Sequence, residues 1–350
     1  MIKTLLQQAI AQKASDVHLI AGVSPVFRLN GSLVRIDGLS LTGQDMLALF
    51  RAITSNDQQQ SFHNNGELDF PFEIAGIGRF RINAYYQRGS IAIAIRVVNN
   101  RIPNLDELGM PEVIKSLARM PRGLVLVTGP TGSGKSTTLA AMVDLINSER
   151  AAHVLTLEEP IEYLHSHRTC IVSQREIPTD SKSFASALRA ALREDPDVIM
   201  VGEMRDAETI GVAVTAAETG HLVFATLHTC DAAQTIDRII DVFPSRQQQQ
   251  IRVQLSLTLQ GIISQQLLPR RVGGGRVVAL ETLVATPAIR NLIREGKTHQ
   301  IASVIQTGSK LGMQSMEFSL RDLYRQGIIS YETALEHSVN PEIFSHLVNG

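Results

Sequence analysis

The chain has 350 residues, 44% of them hydrophobic and 19% charged, which is enough for about two domains with substantial cores. A formal net charge of −1 gives no global attraction to nucleic acid, and two cysteines, Cys170 and Cys230, exclude a four-cysteine zinc site within one chain and fit a reducing compartment. No apolar run approaches transmembrane length and the amino terminus lacks the apolar segment of a signal peptide, so the expectation is a cytoplasmic protein without direct membrane insertion.

In chain order, Leu5, Leu6, Ala9 and Ile10 line one face of a helix over 3–13. A strand follows toward Leu19. Val26–Leu29 and Leu33–Ile36 flank Asn30-Gly31, a hairpin turn signal. Thr42 caps a helix that runs to Ile53. Glu67–Ile74, Gly78–Tyr86 and Ser90–Val98 alternate polar and apolar residues as antiparallel strands do. Residues 1–98 therefore read as a small α+β domain, and Asn99-Asn-Arg-Ile-Pro-Asn104 as a linker.

From 105 to 350 the pattern changes. Apolar runs at Gly123–Thr128, Ala152–Leu157, Val198–Val201 and Leu222–Thr226 alternate with helical stretches, among them Phe184, Leu188 and Leu192 at four-residue spacing. That alternation predicts an α/β domain with a mostly parallel sheet, closed by a helical tail from Pro287 onward. Gln247–Gln250 reads as a solvated helix face.

The chemistry centres on Gly129, Pro130, Thr131, Gly132, Ser133, Gly134, Lys135 and Ser136, followed by Thr137 at a helix start. An apolar strand before this run and a helix after it supply the setting of a phosphate-binding P-loop. Its glycines let the backbone N–H groups face a polyphosphate, Lys135 reaches the β- and γ-phosphates, and the Ser136 hydroxyl ligates Mg²⁺. The expected ligand is ATP or ADP.

Ligands of open α/β sheets lie beyond the carboxyl ends of the strands. Glu203 ends the Val198–Val201 strand and is the candidate for metal and water. Glu158, Glu159 and Glu162 cluster after Leu157 around Pro160 and offer a general base. His221 and His228 bracket one strand at an odd offset, hence at opposite ends, with His228 placed to sense the γ-phosphate and a shared metal site disfavoured. Arg79, Arg81, Arg88 and Arg96 crowd the last strands of the first domain, with Arg79 and Arg81 on one face. They are candidate arginine fingers.

Together these segments resemble the secretion ATPase superfamily of type II and type IV systems, most specifically the PilT family of type IV pilus retraction ATPases. Beside the P-loop, Leu157–Glu162 looks like that family's acidic box, with Glu159 where Asp is common. Arg193–Asp206 resembles its Walker B region, and Thr219–Thr229 its histidine box. Ala288-Ile-Arg-Asn-Leu-Ile-Arg-Glu295 matches the motif associated with retraction motors, the segment that separates them from extension and secretion relatives. The chain also lacks the four-cysteine motif and the extra length of those relatives.

The resemblance implies a PAS-like first domain and a RecA-like second one. It implies a homo-hexamer with ATP between the two domains, and Arg81 and Arg96 near the phosphates. Glu203 and either Glu162 or Glu158 would divide metal holding from water activation. It further implies a platform protein of the inner membrane as partner, contact with other pilus ATPases, and a peripheral site at the base of the pilus machine. ATP hydrolysis would change the angle between the domains and drive pilin removal, the basis of twitching. Gly211, where many relatives carry Arg, and Cys230-Asp231 depart from the family pattern. They motivate the alternative of an accessory or paralogous subunit.

Overall fold

The computed structural model describes residues 2–29, 31–38, 40–98 and 101–349. The chain divides into two compact units, Met1–Arg101 and Ile102–Gly350. The division falls inside the 99–104 segment, of which Asn99 and Asn100 lie outside the described residues, as does Asn30 of the hairpin signal.

In the first unit, α1 (Ile2–Ala11), β1 (Asp16–Leu19), β2 (Val26–Leu29), β3 (Ser32–Arg35), α2 (Gly43–Ile53), α3 (Asn56–Asn65), β4 (Glu67–Ile74), β5 (Gly78–Gln87) and β6 (Ser90–Val97) follow in order. Among the described residues the strands form a six-stranded sheet, β3-β2-β1-β6-β5-β4, with every pairing antiparallel. The period-two pattern sends Phe80 and Ile82 of β5, with Ile93 and Ile95 of β6, into one core with Leu6, Met46, Phe50 and Phe62 of the helices. Arg79 and Arg81 fall on the opposite face. Thr42 caps α2 in a reciprocal capping box with Asp45. The helix α3 was not expected from periodicity, because it buries only Phe62 among its described residues.

The second unit contains α4 (Glu112–Ala118), β7 (Gly123–Thr128), α5 (Lys135–Glu149), β8 (His153–Glu158), β9 (Ile171–Glu176), α6 (Phe184–Ala191), β10 (Val198–Val201), α7 (Ala207–Glu218) and β11 (Leu222–Leu227). It continues with α8 (Ala232–Asp241), α9 (Ser245–Thr258), β12 (Leu259–Pro269), β13 (Arg276–Val284), α10 (Pro287–Glu295), α11 (Ile301–Thr307), α12 (Met316–Arg325), α13 (Tyr331–Glu336) and α14 (Pro341–Asn349). Its described strands form a seven-stranded sheet, β13-β12-β7-β11-β10-β8-β9, parallel except for β12 with β13.

This sheet is covered on both faces, which is why β7, β10 and β11 are predominantly apolar and are buried throughout. One layer packs α6 to α11 against Leu126, Leu155, Ile199 and Val223, and the other packs α4 and α5 against Val125, Val127, Val198 and Phe224. A separate small core, with Met316, Leu320, Ile329 and Phe344, seats α12 to α14 on Leu268 and Ala279. The polar edge strand β9 and the antiparallel pair β12–β13 were not anticipated. Gln247, Gln249 and Gln250 sit exposed on α9, the solvated face expected.

Candidate active site

The P-loop leaves the carboxyl end of β7, a strand held between β11 and β12. Gly129 has φ +140°, and a Cβ there would collide with the Gln265 carbonyl of β12. Only glycine lets the chain turn this close to the neighbouring strand. The Gln265 Nε2 donates to the Ser133 carbonyl at 2.7 Å and braces the loop from β12. Gly134 then starts α5 at φ +90°, with no side chain capping that helix end. The first N–H groups of α5 thus face the loop, as an anion site requires.

Lys135 is buried at the first turn. Its Nζ donates to the Gly129 carbonyl at 2.8 Å and the Pro130 carbonyl at 3.0 Å. An ammonium has three protons, so one remains for a phosphate oxygen. Burial lowers its pKa, while the negative charges of Glu203 and Glu162 oppose that shift.

Glu203 follows β10. Its Oε1 lies 2.7 Å from Arg205 Nε and 3.1 Å from His228 Nε2, and Arg205 Nη2 reaches its Oε2 at 2.8 Å. Hydrogen bonding from Arg205 holds the Glu203 carboxyl below the usual range against the effect of burial, with His228 adding to it. Arg205 escaped the sequence reading; its spacing of two from Glu203 was the available signal.

Glu158 ends β8 and is buried. Its carboxylate accepts from Thr156 Oγ1 at 2.7 Å, Gln174 Nε2 at 3.1 Å and the Glu162 N–H at 3.3 Å. Burial pushes its pKa up to about 6 against these hydrogen bonds. Glu158 is therefore spent on shaping the acidic turn. Glu159 and Glu162 are exposed at the same turn. The Thr137 hydroxyl meets Tyr163 at 2.9 Å, tying the acidic loop to the start of α5.

One cavity of about 390 Å³ gathers these groups. Thr131, Gly132, Gly134, Lys135, Ser136, Thr137, Glu158, Glu159, Glu162, Glu203 and His228 all line it. Gly129, Pro130 and Ser133 complete the loop behind it. Tyr163, His165, Phe184 and Arg276 also line it and were not foreseen. His165 is half-buried, and its loss of solvent lowers its pKa to about 4 and keeps it neutral near pH 7. Phosphate chemistry has an acidic, hydroxyl-bearing wall facing a lysine and a helix N-terminus, which is a phosphoryl-transfer arrangement.

His221 sits elsewhere. It precedes β11, at the amino end, where its Nδ1 meets the Ala216 carbonyl at 2.9 Å and it borders a separate cleft with Arg150 and Asp197. Within one chain it does not reach the P-loop cavity, because β11 separates the two histidines. Arg81 and Arg96 belong to the first unit. They are cross-strand neighbours there, Arg81 paired with Asp69 (Nε to Oδ1, 3.1 Å) and Arg96 with Asp16 (3.1 Å).

The donor set fits Mg²⁺. Ser136 and an ionised Glu203 line the same cavity, and Arg205 and His228 occupy three of about four carboxylate lone-pair positions, leaving one for the ion or its water.

Residues 1–274 match the family described as type II/IV secretion system protein. The type IV pilus retraction ATPase PilT of Pseudomonas aeruginosa is 51% identical over 343 residues, covering 98% of this chain and 99% of that protein. A twitching motility protein of Neisseria gonorrhoeae is 47% identical over 344 residues, covering 98% of this chain and 92% of its own. The crystal structure of the pilus retraction motor PilT with bound ADP superposes at a TM-score of 0.93, with 50% identity and 99% of each chain covered. The P-loop cavity, the acidic and histidine boxes and this likeness over nearly the whole length place the chain in the PilT family of type IV pilus retraction ATPases.

Proposed function

We propose that this chain binds ATP with Mg²⁺ in the P-loop cavity, hydrolyses it as one subunit of a homo-hexamer, and so drives pilus retraction against a platform protein of the inner membrane. The observation that carries the reading is the convergence of Lys135, Ser136, Glu203, Glu162 and His228 on one cavity.

The phosphates lie on the loop N–H groups and the α5 N-terminus, with the free Lys135 proton on a β- or γ-oxygen. Ser136 and Glu203 would hold Mg²⁺, which would supply positive charge against the negative charge that builds on the phosphates. A water attacks the γ-phosphorus, the bond from that phosphorus to the β–γ bridging oxygen breaks, and ADP and inorganic phosphate leave. Glu162 is the better general base for that water. It is exposed in the cavity, whereas Glu158 is buried and holds the Glu162 N–H. His228, hydrogen-bonded to Glu203, is placed to register the γ-phosphate through that carboxylate.

Arg81 and Arg96 act on a neighbouring subunit's nucleotide. They share one row of the sheet with Asp16; the Arg81–Asp69 pair is exposed and exchanges at little cost for phosphate, because surface ion pairs contribute only about 0–1 kcal/mol, and the Arg96 guanidinium is exposed although its partner Asp16 is half-buried. The protein works at the base of the pilus machine, in contact with other pilus ATPases. Among the described residues no helix is long and apolar enough to cross a membrane.

The test is twitching in cells that carry Lys135→Ala as the sole copy. Loss of twitching with normal protein levels supports the reading. Normal twitching contradicts it. Purified protein that binds ATP without turnover would move the chain to the accessory role.

A further inference from the structure

Residues 159–170 connect β8 to β9 without helix or strand, and Glu162, which lines the P-loop cavity, sits on this connection. Backbone N–H and C=O groups outside regular structure need partners from elsewhere. Around Glu162 they come from β9 and the end of β8. The edge strand β9 runs parallel to β8, with Gln174 beside Thr156 and Glu176 beside Glu158. Gln174 and Glu176 are two positions apart, so they share one face of the strand.

Gln174 directs its whole carboxamide at the connection. Its Oε1 accepts the His165 N–H at 2.8 Å. Its Nε2 donates to the Tyr163 carbonyl at 2.8 Å and to Glu158 Oε1 at 3.1 Å. The amide nitrogen has two protons, and both are thus engaged. The other Glu158 oxygen, Oε2, accepts the Glu162 N–H at 3.3 Å. Glu162 is therefore held from both sides, by its own N–H on Glu158 and by the following carbonyl on Gln174. Glu176 adds a further hold, its Oε2 accepting the Ile161 N–H at 3.2 Å.

We propose that Gln174 is a positioning residue for turnover: its carboxamide bridges Glu158, Tyr163 and His165, fixes the acidic turn, and so aims Glu162 at the attacking water. The inference rests on the reading of Glu162 as the base. A shift of about 1 Å at a reacting group costs about a hundredfold in rate, so a brace one residue from the base acts on kcat. The hydrogen bonds of Gln174 go to residues of the turn and not to the P-loop, so nucleotide affinity does not depend on them. Glutamate has the same shape and keeps an acceptor for the His165 N–H, but it loses both donors and sets a second carboxylate against Glu158. Methionine has a similar length, no charge and no N–H donor.

The experiment measures steady-state ATP turnover and ADP affinity of full-length wild type, Gln174→Glu, Gln174→Met, Glu162→Gln and the double variant Gln174→Met/Glu162→Gln. The proposal expects kcat of each Gln174 variant to fall by on the order of tenfold to a hundredfold, with KM and ADP affinity within about twofold. Gln174→Met carries the decision where Gln174→Glu does not fold. Because Gln174 acts through Glu162, the double variant should turn over within about threefold of Glu162→Gln alone. An unchanged kcat, a loss carried by KM, or a double variant slowed by the product of the two single losses overturns the proposal. A wild-type rate in Glu162→Gln would instead sink the reading of that residue as the base, and no turnover in wild type would sink the ATPase reading. In either case amide exchange over 159–165, with no nucleotide added, still decides on the brace: faster exchange in Gln174→Met supports it and unchanged exchange overturns it.

Discussion

His228 Nε2 lies 3.1 Å from Glu203 Oε1, although 25 positions' worth of chain, including all of α7 and β11, separates the two. The parallel pairing of β10 with β11 brings their carboxyl ends together and makes this contact. His228 is thereby bonded to a carboxylate that lines the P-loop cavity. Replacing His228 with Ala is expected to lower kcat by about tenfold to a hundredfold while ADP affinity stays within about twofold. A change confined to ADP affinity would place His228 in ground-state binding instead.

The acidic loop gives a discriminating pair. Glu162→Gln is expected to reduce turnover by about a hundredfold or more, with ATP binding retained, since it removes the carboxylate proposed as the base for the water. Glu158→Gln is expected to reduce it less, because that side chain shapes the turn. Equal losses, or a larger loss at Glu158, would reverse the two roles.

Glu158 also carries a signature in stability. Its folded pKa is about 6 against an ordinary 4.5. Between those values the folded state binds more protons than the unfolded state, so this group's contribution to stability falls as pH rises from 4.5 to 6. Glu158→Gln lacks that loss. Its unfolding free energy should therefore gain about 2 kcal/mol on wild type between pH 4 and pH 7, measured by urea denaturation. Parallel curves for the two proteins would contradict the burial assigned to this carboxyl.

In the retraction-motor motif, Arg290 turns inward to cap a neighbouring helix. Its Nη1 donates to the Ser256 and Leu257 carbonyls at 2.8 Å, at the end of α9, and its Nε donates to the Ala285 carbonyl at 3.0 Å. Arg290→Ala should lower stability by about 1–3 kcal/mol by leaving helix-end carbonyls unpaired, with kcat of the folded protein within about twofold. Arg290→Lys should rescue little, since a point charge does not reproduce the guanidinium fork. A thermal midpoint equal to wild type would remove the capping role.

How much of this was legible depended on how local each signal is. The P-loop needs only a strand, eight residues and a helix, and all three are contiguous, so the loop and its chemistry could be read directly. The seven-residue offset of His221 and His228 already implied opposite strand ends, and the structure places His221 away from the cavity. The strand β9 escaped because it is a polar edge whose Ile171 is 65% exposed, so no apolar pattern marks it. Its Gln174 nonetheless fixes Glu158. The helix α3 escaped for the same reason, and only the Ser55–Gln58 capping box announced it. Glu281 is ordinary in sequence, and its hydrogen bond from the Ala232 N–H joins distant segments that no local window contains.

The most direct measurement is steady-state ATP turnover of the purified chain beside Lys135→Ala, with mass determined in solution. The account predicts a hexamer that releases phosphate from ATP and a mutant hexamer that does not. Turnover undiminished in Lys135→Ala would contradict it.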